Sequence, residues 1–298
     1  MNTHASDLPL VTTDWVAEHL DDPQVRIVEV DIDTNAYAVS HIPGAVGWNW
    51  QTQLQHPIRR DIVGKRDFEL LLGDSGIGPD TRVVLYGDNH NWFAAHAYWL
   101  LRYYAHGPIS LMDGGRSKWE REGRPMTAVR PTPSRVTYHI TRELVELRAL
   151  FTDVHKHLDN PVGVLVDVRT PEEYAGLVIA PPGLNETAQR AGHIPGASSI
   201  PWSEVLRDDG TLKSTTELEN LYESRGIHPA DDIITYCRIG ERSSHSWFVL
   251  KELLGYERVR NYDGSWTEWG NMIGAPVEVS EEARLSVEDL RNDPVFHQ

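Results

Sequence analysis

The sequence contains one cysteine, Cys237, and its surroundings favour a reactive thiol. It follows the stretch Ile233–Tyr236, whose β-branched and aromatic residues predict a buried strand. A segment with apolar residues at helical spacing begins at Ser243. A thiol at this junction faces unpaired N–H groups and the positive end of a helix dipole, and Arg238 and Arg242 add two positive charges. We therefore predict a lowered pKa for Cys237 and a nucleophilic role.

A lone cysteine is most often a small buried apolar residue. The other residues of the loop must therefore indicate whether Cys237 is inert or a nucleophile. Gly240 allows the loop to curl, so that several backbone N–H groups converge on one anion. Cys237 and Arg242 form a Cys-x4-Arg pattern, one residue shorter than the Cys-x5-Arg loop of phosphatases that form a cysteinyl phosphate. The shorter ring suits an anion closer to the sulfur, such as a second sulfur atom.

The loop closely resembles the active-site loop of the rhodanese family of sulfurtransferases. Thiosulfate sulfurtransferases typically carry Cys-Arg-Lys-Gly-Val-Thr here, and mercaptopyruvate sulfurtransferases carry Cys-Gly-Ser/Thr-Gly-Val. Arg238 matches the first pattern, whereas Arg242 departs from both and resembles an actinobacterial-type variant. The resemblance implies that Cys237 is catalytic and that the loop binds the substrate through Arg238, Ile239, Gly240, Glu241, Arg242 and Ser243.

The sequence repeats one pattern at a distance of about 150 residues, which indicates a duplicated unit. The pentapeptide His-Ile-Pro-Gly-Ala occurs at 41–45 and again at 193–197, and the apolar strand at 83–86 has a counterpart at 233–236. Helical patterns separate the predicted strands, one of them over 142–158. This alternation predicts an α/β protein with two tandem rhodanese-like domains, each a mostly parallel sheet flanked by helices.

We place the first domain at residues 7–128 and the second domain at 142–285. The linker between them, residues 129–141, is stiffened by Pro131 and Pro133. The two-domain organisation is also what the rhodanese resemblance implies.

The two copies differ where the nucleophile stands. Gly87 and Asp88 of the first copy correspond to Cys237 and Arg238 of the second. An aspartate at the start of a helix is a good cap but a poor anion receptor. We therefore expect the first domain to be catalytically inactive.

The second copy carries about sixteen additional residues, 177–192, before its pentapeptide. They include Arg190, and by resemblance an arginine here helps to bind the anionic end of the substrate in mercaptopyruvate-type enzymes; the alternative is a solvated loop arginine. Mammalian-type thiosulfate enzymes place another arginine before a tyrosine, where this chain has Glu173 and Tyr174. We therefore expect Arg190 and Arg242 to replace it in substrate binding.

Two further pairs are predicted to serve the structure. Asp167 and Arg169 are expected to pair at the end of their strand and to support the loop. His41 and His193 each lie in a turn pentapeptide without other ligands at metal-binding spacing, so we expect them to form hydrogen bonds in the turns.

Composition restricts the function classes. The chain has 298 residues, of which 40% are hydrophobic and 24% charged, as in soluble globular proteins. A net charge of −16 argues against nucleic-acid binding. There is neither an apolar run of the ~20 residues that cross a membrane nor a secretory signal at the start. One free thiol fits a reducing cytoplasm, and no motif calls for a cofactor.

The expected activity is a thiosulfate sulfurtransferase that carries sulfur as a Cys237 persulfide. Thiosulfate is the expected donor, and cyanide or a thiol from outside the protein is the acceptor, because the chain has no second cysteine. Two alternatives stay open. One is a 3-mercaptopyruvate sulfurtransferase, against which Arg238 argues, and the other is a persulfide carrier or redox sensor.

Overall fold

A computed structural model describes residues 8–159, 163–180 and 188–285 of the chain. The chain divides into two compact units. The first is built mainly from residues up to Leu147, together with Val205–Leu218 and Glu252–Leu254, and the second from the other residues from Arg148 onward.

The first unit contains a sheet that is parallel throughout. Its strands, within the described residues, are β1 (Leu10–Val11), β2 (Val25–Asp31), β3 (Val46–Asn49), β4 (Arg82–Tyr86) and β5 (Ile109–Met112). They lie in the order β1-β5-β4-β2-β3. Every residue of β5 is buried, and so is β4 apart from its first residue, as expected for a parallel sheet covered on both faces.

The second unit contains a second parallel sheet. Its strands, within the described residues, are β6 (Val164–Asp167), β7 (Ser198–Ser199), β8 (Ile233–Tyr236) and β9 (Val259–Asn261). Their order β7-β6-β8-β9 repeats the order β3-β2-β4-β5 of the first sheet. The predicted class, α/β with two tandem domains that each hold a parallel sheet, is confirmed.

Helices cover the sheets in both units. The α-helices are α1 (Thr13–Glu18), α2 (Asn35–Val39), α3 (Trp50–Gln53), α4 (Lys65–Asp74), α5 (Trp92–Tyr103), α6 (Gly115–Arg121), α7 (Phe151–Asp159), α8 (Pro171–Ala175), α9 (Thr215–Ser224), α10 (Glu241–Phe248) and α11 (Ser265–Trp269). The last described residues, 281–285, are helical as well. Short 3-10 turns occupy Asn89–Asn91, Val145–Leu147 and Trp202–Val205, and α10 continues as a π-helical turn over Val249–Leu253. None of the helices described combines the length and apolar character that crossing a membrane needs.

The helix predicted over residues 142–158 is wrong in its first part. α7 begins only at Phe151, and the residues just before it pair with the edge of the second sheet. Arg148 forms a parallel bridge with Asn261, and Ala149 N donates to Asn261 O over 3.0 Å. The N–H of Ala149 therefore bonds to a strand and not within a helix. In the first unit, β1 likewise pairs with β5.

Residues 129–141 form neither a helix nor a strand, although all of them are described. Val136 N donates to Gly73 O over 3.1 Å, and Ile140 N donates to the carboxylate of Glu69 over 2.8 Å. These bonds attach the proposed linker to α4. The domain limits given above remain a prediction.

The repeated pentapeptides form the same turn in both units. His41 Nδ1 donates to Tyr37 O over 2.9 Å, and His193 Nδ1 donates to Tyr174 O over 2.7 Å. Each histidine ring stacks on the ring of that tyrosine, with centroids 4.1 and 3.6 Å apart. The predicted hydrogen-bonding role of the two histidines is confirmed. No group of three or more potential metal ligands occurs in the ranges that the structure describes.

A buried tyrosine at the end of each central strand fixes the same turn to the sheet. Tyr86 of β4 accepts a hydrogen bond from Ile42 N, and Tyr236 of β8 accepts one from Ile194 N, both over 3.1 Å. The duplicated sequence pattern therefore corresponds to a duplicated set of contacts.

Candidate active site

The loop between β8 and α10 turns at Gly240. Its φ is +99°, a region that favours glycine, and a Cβ atom here would lie 2.9 Å from the Cα and O atoms of Asp263. An alanine at position 240 would therefore force a shift of its own backbone or of the backbone at Asp263. The prediction that Gly240 lets the loop curl tightly is confirmed.

Cys237 lies at the start of this loop and is fully buried. Its Sγ accepts the N–H of Gly240 over 3.1 Å and lies 3.3 Å from Oε2 of Glu241. Its own N–H donates to Ser265 Oγ over 3.1 Å. A backbone donor thus points at the sulfur, as expected for a loop that holds an anion, but a carboxylate lies beside the sulfur as well.

The prediction of a lowered pKa for Cys237 is wrong for this structure. Burial raises the pKa of the thiol, and the charge of Glu241 raises it further. The charge of Arg242 and hydrogen bonding by Ser243 act in the opposite direction but do not prevail. The prediction counted the two nearby arginines and left out both desolvation and the acid on the same loop.

Arg242 is buried and forms an ion pair inside the protein. Its Nη1 and Nη2 atoms donate to the two carboxylate oxygens of Glu173 over 2.8 and 3.0 Å. Its Nε atom lies 3.6 Å from Oε1 of Glu241. Burial acts to lower the pKa of Arg242, but Glu173 and Glu241 outweigh it and the pKa rises. In this structure the guanidinium predicted to bind substrate is held by Glu173.

Glu173 is the residue of the site whose role the sequence analysis missed. Helix α8 begins with a capping box, in which Glu173 N donates to Thr170 Oγ1 over 3.3 Å and Thr170 N donates to the Glu173 carboxylate over 3.1 Å. Burial acts to raise the pKa of Glu173, but Arg242 outweighs it and the pKa falls.

A signal for this ion pair was present in the sequence. Relative to the family pattern, Arg242 stands in place of a hydroxyl residue and Glu173 in place of an arginine. Arg242 adds a positive charge, and Glu173 replaces a positive charge with a negative one. Taken together, these two differences from the family pattern predict an ion pair between the two residues.

Hydroxyl and amide groups support the loop from the helix side. Ser243 Oγ donates to Asn261 Oδ1 over 2.6 Å, and Ser244 Oγ donates to Gly240 O over 2.7 Å. Asn261 Nδ2 donates to Ser244 Oγ over 2.9 Å and completes the connection. The side chain of Ser243, expected to bind substrate, therefore contacts β9 in this structure.

The middle of the loop is joined to α11. Arg238 O accepts hydrogen bonds from Thr267 N and Thr267 Oγ1, over 2.9 and 2.8 Å. The side chains of Arg238 and Ile239 are both buried. These contacts fix the backbone on which the predicted substrate-binding residues lie.

Ser265 takes a backbone conformation that is uncommon for a residue with a Cβ atom. Its φ is +51°, and the corresponding residue of the first unit, Gly115, has a φ of +57°. The serine hydroxyl donates to Tyr262 O over 2.6 Å and accepts the N–H of Cys237. A left-handed serine at this position thus supports the backbone of Cys237.

Arg190, the other predicted substrate-binding residue, is surrounded by backbone carbonyls. Its guanidinium donates to the carbonyls of Trp269, Gly270, Met272 and Ala275 over 2.8, 3.1, 2.7 and 2.6 Å. These bonds give Arg190 a structural role at the end of α11. Of the inserted segment 177–192 to which it belongs, residues 181–187 lie outside the described residues.

Asp167 and Arg169 form the predicted ion pair at the end of β6. Both are fully buried, and the closest nitrogen–oxygen distance is 2.6 Å. Arg169 also donates to Gly192 O over 2.7 Å and lies over the ring of Trp266, 4.5 Å from its centroid. The expected structural role of the pair is confirmed.

Comparison with known proteins places this arrangement in a family. The family described as "Rhodanese-like domain" matches this chain twice, over residues 12–122 and over residues 150–272. The chain therefore belongs to the rhodanese-like family and contains two copies of its domain, as the loop and the repeat had indicated.

The relatives of the chain are sulfur-transfer proteins by name. A "Putative thiosulfate sulfurtransferase" of Haloferax volcanii is 55% identical, and the match covers 92% of this chain and 97% of the relative. "Sulfur carrier protein TtuD" of Thermus thermophilus is 51% identical, with the same two shares covered. A "Putative thiosulfate sulfurtransferase" of the actinobacterium Saccharopolyspora erythraea is 49% identical, again over 92% and 97%. The expected likeness to actinobacterial thiosulfate sulfurtransferases is confirmed.

Proposed function

We propose that the protein is a thiosulfate sulfurtransferase and that Cys237 carries the transferred sulfur. The thiolate of Cys237 attacks the outer sulfur of thiosulfate, sulfite leaves, and a persulfide forms. An external cyanide ion or thiolate then takes the outer sulfur. The proposal rests chiefly on one observation: the sulfur of the only cysteine accepts the N–H of Gly240 at the turn before α10. The relatives named as thiosulfate sulfurtransferases support the choice of donor.

The loop would stabilise the charge that moves through the sulfur. The N–H of Gly240 and the start of α10 favour a negative charge at Sγ and on the persulfide. Arg238 is our candidate for binding the sulfonate oxygens of thiosulfate, because the resemblance assigns it to substrate and Arg242 pairs with Glu173. The first unit, with Gly87 and Asp88 at these positions, would take no part in the chemistry. A protein with a single thiol would work in a reducing compartment such as the cytoplasm.

The covalent intermediate provides the direct test. Incubation with thiosulfate should raise the intact mass by about 32 Da, one sulfur on the nucleophile, and cyanide should remove it. Cys237→Ser should show neither change. An unaltered mass of the wild-type protein after incubation with fresh thiosulfate would contradict the proposal.

The donor is tested by comparing thiosulfate with 3-mercaptopyruvate. Thiosulfate carries two negative charges, so it should depend more strongly on Arg238. Arg238→Gln should lower kcat/KM for thiosulfate by about ten- to a hundredfold, the effect of one lost charge-assisted contact. An equal loss with both donors would show that Arg238 does not select thiosulfate.

A sulfur carrier is the second candidate function. It is favoured by the relative named sulfur carrier protein. A carrier would form the persulfide stoichiometrically and turn over slowly with small acceptors. Steady-state turnover with thiosulfate and cyanide therefore separates a carrier from an enzyme.

A further inference from the structure

Glu241 and Cys237 lie side by side in the interior. The carboxylate is buried, and its Oε2 lies 3.3 Å from Sγ of Cys237. Gly240 N–H approaches the sulfur over 3.1 Å. Gly240 N–H can only donate, and hydrogen bonding by Ser243 lowers the pKa of the thiol, as a donor to the sulfur does. The hydrogen of a neutral thiol therefore has the carboxylate oxygen of Glu241 as its acceptor.

The charges around this pair make two adjacent anions costly. Arg242 approaches Glu241 to 3.6 Å, but it also forms the two-pronged ion pair with Glu173. Asp263, whose backbone packs on Gly240, is paired with Arg148 over 2.7 Å. Tyr236, Arg238 on the loop and His245 on α10 are the remaining ionisable groups close along the chain, and all three are buried. Burial holds the pKa of Tyr236 well above its ordinary value, so it stays neutral. A thiolate beside an ionised Glu241 would place a second negative charge in a desolvated site.

We propose that Glu241 is the proton acceptor of Cys237, so that the two side chains hold one proton between them. The proton lies on Sγ in the resting protein and on the carboxylate while the sulfur is a thiolate or a persulfide. This inference rests on the proposed function, because it gives Glu241 a role in the same sulfur transfer. It assigns catalysis to a loop residue that the family resemblance implied only as a substrate contact.

The steps balance without any further reactant. The Cys237 thiol transfers its proton to Glu241, and the thiolate forms a bond to the outer sulfur of thiosulfate. The sulfur–sulfur bond of thiosulfate breaks, and sulfite leaves with that electron pair as a dianion. Neutral Glu241 then donates a hydrogen bond to the anionic persulfide. The acceptor anion takes the outer sulfur, the bond to Sγ breaks, and the regenerated thiolate recovers its proton from Glu241.

The pH dependence of thiol alkylation tests proton sharing without requiring any sulfur donor. Iodoacetamide is neutral and reports how much thiolate is present. Wild-type protein should show two ionisations, because two groups that share one proton titrate as a coupled pair. Glu241→Gln should show one ionisation. Glu172→Gln removes an exposed carboxylate next to Glu173 and should keep the wild-type profile.

The same variants separate this role from a purely structural one. Because the charge of Glu241 raises the pKa of Cys237, the single ionisation of Glu241→Gln should lie at a lower pH than the upper ionisation of the wild-type protein, a shift that a purely structural role would not produce. Glu241→Asp, which keeps the acid, should retain two ionisations. If the second ionisation came from His245, it would persist in Glu241→Gln, and the proposal would be wrong.

The outcomes also distinguish this proposal from the proposed function. One ionisation in a wild-type protein that gains sulfur from thiosulfate would overturn proton sharing and leave the sulfur transfer intact. Two ionisations in a protein that gains no sulfur would keep the pair and remove thiosulfate as the donor. If Glu241→Gln does not fold, the wild-type and Glu241→Asp profiles decide, and a single ionisation in both would refute the proposal.

Discussion

After β4 the chain forms a loop through Gly87 and Asp88, and after β8 it forms the corresponding loop through Cys237. In the first loop Asn91 Oδ1 accepts the N–H of Gly87 over 3.0 Å, and Asp31 accepts the N–H of Asp88 over 2.8 Å. In the second loop a sulfur atom accepts the N–H of Gly240. The first loop therefore satisfies its N–H groups with side chains of its own unit, whereas an N–H of the second loop faces a nucleophile.

The two loops also reach their helices by different backbone routes. Asn89, His90 and Asn91 are left-handed in succession, with φ values of 49°, 54° and 66°, whereas the second loop uses Gly240. Asparagine tolerates this region better than most residues, but the conformation still carries a cost. The two units thus have similar sheets and turns but different loops. The loop of the first unit has a strained backbone and bonds to side chains of its own unit, whereas the loop of the second unit holds a thiol.

The largest expected effect concerns the ion pair of the second unit. Arg242→Gln leaves the buried carboxylate of Glu173 without its partner, which should lower the free energy of unfolding by about 3–5 kcal/mol. Urea denaturation measures the change. The double variant Arg242→Gln with Glu173→Gln removes both charges and should recover part of the loss. If Arg242→Gln abolished activity at unchanged stability, Arg242 would be a substrate ligand after all.

The next effect concerns an acid of the first unit. Burial, followed by the charge of Asp88, raises the pKa of Asp31 from 3.8 to about 8. The folded protein therefore holds the proton more tightly than the unfolded chain, so Asp31 contributes stability in full below about pH 4. That contribution is lost as the pH rises to about 8, by at most about 1.4 kcal/mol per pH unit.

Unfolding free energies measured between pH 5 and pH 9 test this contribution. Asp31→Asn should remove that part of the slope. Asp33→Asn, an exposed neighbour, should preserve it. Parallel curves for wild type and Asp31→Asn would mean that Asp31 is ionised at neutral pH.

A third experiment asks whether the first loop can be converted into the second. A Cβ atom at Gly87 would lie 2.4 Å from Val30 O, so Gly87→Cys does not fit the present backbone. Together with Asp88→Arg it should cost about 1–3 kcal/mol of stability, as overpacking does. In a Cys237→Ser background we expect no gain of mass with thiosulfate. A sulfur adduct there would show that the loops differ only in side chains.

The smallest effect is expected for Asp88→Ala. Asp88 is partly exposed and lies 3.8 Å from Arg116, and we assign it no part in the chemistry. Sulfur transfer by this variant should keep kcat/KM within a few-fold of wild type. A thousandfold loss in a folded variant would mean that the first loop takes part in catalysis.

The sequence was sufficient for features that depend on neighbouring residues. The strand before Cys237, the turn at Gly240 and the repeated histidine turns follow from local preferences and from the repeat. The ion pair between Glu173 and Arg242 joins residues 69 positions apart, and only the packing of α8 brings them together. The raised pKa of Cys237 was missed for a related reason, since burial is a property of the folded chain.

The backbone between 142 and 150 shows the same limit. Its apolar spacing favours a helix, but Ala149 pairs with Asn261, which is far away in the sequence. A helical pattern describes what a segment can do alone. It does not indicate that a sheet edge elsewhere in the chain will compete for the same N–H groups.

The four carbonyl bonds of Arg190 connect it to residues 79 to 85 positions away in the chain. A contact of this span closes a long loop and restricts the conformations open to the segment between its ends. Secreted proteins often obtain such closure from a disulfide, which a chain with one cysteine cannot form within itself. Arg190 acts as a non-covalent cross-link that does not depend on redox state and leaves the single thiol available for chemistry.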